Sequence, residues 1–172
     1  MALTMSKILG LDMVGIDSNY ATDSIHREGV ILRMERKNSI ADYCPYLIVS
    51  DNMKTLDVKT DLFMIDPLQS KDGIKRKAKR GLGIEISISS ARKLEAHMIG
   101  RWMRQAKFIH EVCNSNKCQF ILSSGAYSMH EMVSARTIES ILKFIGISPT
   151  NYWEELSEWL ETKNKAKWIR QC

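Results

Sequence analysis

Histidine is scarce in this chain: His26, His97, His110 and His130 are all it has, and no two form a His-x-His pair. A metal-dependent phosphoesterase gathers several histidines and carboxylates around its ions, often starting from such a pair, so the composition argues against that chemistry. His97 and His110 also fall inside a long helical pattern, away from strand ends. The four cysteines, Cys44, Cys113, Cys118 and Cys172, include no Cys-x-x-Cys. Cys113 and Cys118 have too little nearby histidine for a zinc site, and all four read as reduced thiols. There is no Gly-x-Ser-x-Gly elbow, and His130 as a base for Ser123 or Ser124 has only its sequence neighbour Glu131 as an orienting acid. Gly81-Leu82-Gly83 lacks the third glycine and the Lys-Ser/Thr of a phosphate-binding loop. No apolar run approaches the ~18 residues of a membrane span. Met1–Gly10 lacks the apolar centre of a signal peptide. These absences lead to the expectation of a soluble, cytoplasmic chain without a membrane partner and without a metal or cofactor of its own.

What is present is an ordinary globular composition, with 44% hydrophobic and 26% charged residues in 172. A single domain of this size buries roughly 70% of the surface its unfolded chain exposes. The expected organisation is one domain over 1–150, with 151–172 as a C-terminal helix and basic tail belonging to it. The net charge of +5 permits an anionic partner without requiring one.

The most organised stretch is Cys118–Ile147. Phe120-Ile121-Leu122 is too short for a helix and reads as a buried strand, ending in Ser123-Ser124-Gly125-Ala126, a tight turn of small residues. Ile138, Ile141, Leu142 and Ile145 then share a helical face, and Gly146 with Ser148-Pro149 ends that helix. Upstream, Met13–Ile16, Gly29–Met34, Tyr46–Val49, Asp61–Ile65 and Gly81–Ile88 are further strand candidates, the apolar runs being of the kind parallel sheets bury on both faces. Met1–Leu11 reads as a short amphipathic helix, and Glu35–Cys44 as a polar connection. A long helix is expected over Ala91–Val112, N-capped by Ser89-Ser90, with Leu94, Met98, Trp102, Met103, Ala106, Ile109 and Cys113 as its core stripe. Asn151–Thr162 is an acidic aromatic helix whose Trp153–Leu160 face suits core or a protein partner. The alternation of elements implies an α/β fold.

Cations cluster in two places. Lys71–Arg80 holds six basic residues, Lys71, Lys75, Arg76, Lys77, Lys79 and Arg80, against one acid. The long helix carries Arg92, Arg101, Arg104 and Lys107 off its apolar stripe. Isolated, such residues are usually a solvated face. The first run feeds directly into the strand Gly81–Ile88, and a basic helix at the mouth of a sheet is placed to meet phosphates.

The apolar-Asp-Asn turn at Leu47–Asn52, the strand Gly81–Ile88, the helix Ala91–Val112 and Leu122–Ala126 together resemble the archaeal RNase P protein component 3 family, the homologue of the eukaryotic thirty-kilodalton RNase P subunit. The resemblance spans Tyr46–Ile147. Where family members tend to carry Arg-Ser-Pro and an Asp after the Ser-Ser-Gly-Ala turn, this chain reads Val133-Ser134-Ala135-Arg136-Thr137. The resemblance implies a (β/α) TIM-barrel-like fold, related to the polymerase and histidinol phosphatase phosphoesterases. Family members place a strand and helix ahead of the segment at Leu9–Asp12, so either the barrel is abbreviated at the N-terminus or its start lies upstream.

By the same resemblance the chain is a protein subunit of ribonuclease P, which removes the 5′ leader from precursor tRNA using Mg²⁺ held mainly by its RNA. It would donate no catalytic residue. Its partners would be RNase P RNA, precursor tRNA and a second small RNase P protein of ferredoxin-like fold. The RNA-facing candidates are Lys71, Lys75, Arg76, Lys77, Lys79, Arg80, Arg92, Arg101, Arg104, Lys107 and Arg136, with the turn Ser123, Ser124 and Gly125. Two other classes stand beside this reading: a stand-alone metal phosphoesterase, and an interaction module using the Trp153–Leu160 face.

Overall fold

The computed structural model describes residues 32–34, 46–52, 60–68, 73–126 and 131–168. The helix expected at Met1–Leu11, the strand at Met13–Ile16, the connection Glu35–Cys44, His26, His130 and Lys71 lie outside those residues. The apolar runs become strands β1 (Leu32–Met34), β2 (Tyr46–Ser50), β3 (Leu62–Ile65), β4 (Gly83–Ser87) and β5 (Gln119–Ser123). They pair in parallel in the order β1-β2-β3-β4-β5. The chain is therefore α/β with a parallel sheet. Gly81 turns the chain with φ +79° before β4, and Ile88 already belongs to the next helix, so β4 is shorter than its apolar run.

Helices α1 (Gly73–Lys77), α2 (Ile88–Arg92), α3 (Ala96–Asn116), α4 (Ala135–Phe144) and α5 (Pro149–Trp168) complete the described elements. Consecutive parallel strands need crossovers of one hand, and when the sheet grows in one direction those crossovers fall on one face. Accordingly α1 lies beside α3, and the His110 ring of α3 meets Phe120 of β5 edge-on at 5.4 Å. Phe63, Ile65, Ile84, Ile86, Phe120 and Leu122, all buried, alternate along the three strands and form the layer beneath these helices.

The long helix expected from Ala91 is interrupted. Glu95 is extended (φ −66°, ψ 150°) and starts α3 anew, after the short α2. In α2, Ser87 is the N-cap and makes no side-chain cap bond, while Ser90 Oγ donates to the Ser87 carbonyl at 2.6 Å. The buried Trp102 indole donates to Ser90 Oγ at 3.0 Å. In an unbroken helix those two residues would stand about 18 Å apart along the axis, so the break is what allows the contact. Beyond it the apolar stripe holds, with Trp102, Ala106, Ile109, Val112 and Cys113 buried. Burial pushes the Cys113 and Cys118 thiols up from their usual range, away from the reactive thiolate.

The opposite sheet face is covered at its amino-terminal end by α5. Trp159 donates from Nε1 to the Gly81 carbonyl at 3.0 Å, and a Cβ on Gly83 would stand 2.8 Å from its ring. Tyr152 Oη accepts from Leu122 N–H at 2.9 Å, occupying a backbone group on β5. Lys163 pairs with Asp61 at 3.2 Å, and Asp61 also accepts from Ile48 N–H at 3.0 Å. Leu156, Trp159 and Leu160 are buried in the same core cluster as the sheet, and Trp153 packs partly buried against it. The Trp153–Leu160 face is thus taken up by the chain's own core, because a long amphipathic helix finds its apolar complement on the uncovered sheet face. Of the apolar residues of that face, Trp153 alone stays partly exposed.

His110 gives a pH test of the packing. Burial lowers its pKa from the ordinary 6.5, opposed by the neighbouring Glu111 carboxylate. A depressed histidine binds its proton more readily when unfolded, so its contribution is intact above about pH 6.5 and lost as pH falls through that value toward the lower folded one. His110→Gln is expected to flatten the decline in urea stability between neutral and mildly acidic pH. An unchanged decline would mean that other groups set it.

A candidate nucleic-acid interface

The structure distributes the candidate cations and the Ser-Ser-Gly turn among three places. At the carboxyl-terminal end of the sheet the turn folds inward. Ser123 and Ser124 are 2% and 0% exposed. Ser123 Oγ donates to the buried Glu85 carboxylate, and Ser124 accepts from Ser89 N–H through its carbonyl at 3.0 Å. These hydroxyls face the protein interior, which corrects the expectation that they present a surface to RNA. The cause is register: Ser123 pairs with Ser87 and points to the same sheet face as Glu85, where a buried carboxylate requires a donor. Gly125, half-buried with φ +60°, lies against Ser87 and Ser89. Arg92 is exposed here and donates to the Glu131 carbonyl at 2.8 Å, and Arg136 is exposed on the first turn of α4.

At the opposite end stand Lys79 and Arg80, which lead into the amino terminus of β4. The Lys79 carbonyl accepts from Cys118 Sγ at 3.2 Å. Arg80 lines a shallow groove with Lys117, Glu155 and Glu158. Two carboxylates in that groove oppose a phosphate there, so the end of the basic run is electrostatically mixed.

The third place is the outer side of the helical layer. The Lys75 ammonium stands 5.3 Å from the Phe108 ring centre, which sets α1 directly alongside α3. Lys75 and Arg76 from α1, and Arg101, Arg104 and Lys107 from α3, are all exposed. Successive members on α3 rise about 4.5 Å along the axis. Lys77 closes α1. Exposed carboxylates on α3 are Glu111, one turn beyond Lys107; Glu95, just before the helix, pairs with His97 at 3.2 Å. These are five exposed cations on two adjacent helices, and exposed cations can neutralise phosphates without reading bases.

A comparison with known proteins finds no matching family model and no matching curated protein.

One feature of the surface was not singled out by sequence. Phe144 is 77% exposed at the end of α4, beside the exposed Lys143. The signal was available, since Phe144 lies off the stripe of Ile138, Ile141, Leu142 and Ile145 that anchors the helix. Among the described residues no helix is long and apolar enough to cross a membrane.

Proposed function

We propose that this chain is a protein subunit of ribonuclease P, supporting a catalytic RNA in removing the 5′ leader from precursor tRNA in the cytoplasm. The observation that carries the reading is the exposure of Lys75, Arg76, Arg101, Arg104 and Lys107 on two helices that lie side by side. It is supported by the resemblance over Tyr46–Ile147. In this role the protein supplies no reacting group. Its cations neutralise phosphates of the folded RNA, whose own Mg²⁺ ions do the chemistry, and lower the magnesium concentration the RNA needs. The partners are RNase P RNA, precursor tRNA and a small protein of ferredoxin-like fold. The sequential, all-parallel strand order supports reading the sheet as part of a (β/α) barrel, since a sheet growing in one direction with its crossover helices on one face is how such barrels are wound.

The test is cleavage of precursor tRNA by an archaeal RNase P RNA with its ferredoxin-like partner at limiting magnesium. Adding this chain is expected to restore cleavage. No gain in rate, together with manganese-dependent phosphodiester hydrolysis by the chain alone, would replace this reading with that of a phosphoesterase.

A further inference from the structure

The geometry points to Phe144 as a stacking platform for an unpaired nucleobase of the bound RNA, with Lys143 and Lys107 placed to meet the flanking phosphates; this rests on the reading that the chain binds RNA. Phe144 and Ile99 are the large apolar side chains left exposed among the described residues, and Phe144 is far the more open, at 77% against 38%. The remaining apolar residues of α4 explain its attachment without Phe144: Ile138, Leu142 and Ile145 are buried. Among the described residues Phe144 takes no part in the hydrophobic core, and its phenyl ring is a flat apolar surface open to solvent.

Its surroundings select the partner. From Ser140 to Asn151 the chain contains no carboxylate, and Lys143 precedes the ring directly. Lys107 of α3 reaches across, its ammonium 3.8 Å from where a side chain on Gly146 would begin. The nearest acid on α4, Glu139, is engaged with Trp153 Nε1 at 3.2 Å. An exposed aromatic next to Lys143 in the chain, with Lys107 of α3 close to Gly146 two residues on, matches the pairing of stacking and phosphate contacts by which single strands are held. A protein partner would be selected instead by a broader apolar patch, and the described residues around Phe144 offer little of one: Ser140, Lys143 and Gly146 are exposed, Ile145 is buried, and Ile141 one turn earlier is half-buried.

The experiment is equilibrium binding of a short oligouridylate to the full chain over a range of salt, comparing wild type with Phe144→Ala, Phe144→Leu and Phe144→Tyr. Stacking predicts a loss of about five- to a hundredfold for the alanine and leucine variants, near-complete retention by tyrosine, and an unchanged slope of log affinity against log salt. Lys143→Ala is expected to lower that slope by about 1. Salt-dependent binding that is indifferent to Phe144, or retained by leucine as well as by tyrosine, overturns the stacking role and leaves the RNA reading standing. Failure of the wild-type chain to bind RNA overturns both.

Discussion

Replacing Gly125 with alanine is expected to destabilise the fold by about 2–5 kcal/mol, as the sum of a left-handed backbone penalty and overpacking. Gly125 has φ +60°, and an added Cβ would stand 1.8 Å from Ser87 Oγ, 2.7 Å from Ser87 Cβ and 2.7 Å from Ser89 Oγ. Those serines cannot simply swing away. Ser87 and Ser89 are hydrogen-bonded to each other, and Ser89 N–H is held by the Ser124 carbonyl. Gly81→Ala is the matched control, because Gly81 has φ +79° with nothing within 4 Å of the added atom. It should cost only the backbone part, about 1–2 kcal/mol. Guanidinium unfolding of both variants measures the difference, and Ser87→Gly added to Gly125→Ala should recover part of it. Equal losses for the two alanine variants would show that the turn relaxes and that its close packing against β4 is unimportant.

Reversing Arg76, Arg101 and Arg104 together to glutamate is expected to lower affinity for RNase P RNA by about a hundredfold or more at physiological salt. The slope of log affinity against log salt should fall by about 3, one for each phosphate contact removed. All three side chains are exposed, so the fold should be unaffected within about 0.5 kcal/mol per site, which thermal unfolding checks. Lys79→Glu with Arg80→Glu is the contrasting pair. It sits at the amino-terminal end of the sheet, where Glu155 and Glu158 already share a groove with Arg80, and should cost much less. If the second pair abolished binding while the triple variant bound normally, the interface would have to be moved from the outer helices to that end of the sheet.

The two variant sets test different kinds of legibility. The strands were readable because a central parallel strand is buried on both faces, and that demand leaves an uninterrupted apolar run such as Phe120-Ile121-Leu122, where each residue is nearly inaccessible. The attachment face of α4 was readable for a similar reason, from the spacing of Ile138, Leu142 and Ile145. The break between α2 and α3 was not. Lys93, Leu94 and Glu95 are all acceptable helix residues, and what interrupts them is the contact of Trp102 with Ser90, formed only when the helix is bent.

The candidate interface was legible as a list of residue types and illegible as a place. Composition and periodicity by themselves determined that the chain is α/β, which faces of its helices are apolar, and that its cations concentrate in Lys71–Arg80 and on the long helix. Tertiary structure alone decided which of these share a surface. A crossover carries the chain along the full length of the strands, so Lys79 and Arg80 arrive at the end of the sheet opposite Ser123–Gly125, whereas Lys75 is set against Phe108 and brings α1 alongside the helix that carries Arg101, Arg104 and Lys107, well removed in sequence. It also decided that Ser123 and Ser124 turn inward, since the direction of a strand side chain follows from its register with the neighbouring strand, and that relation is absent from any single segment.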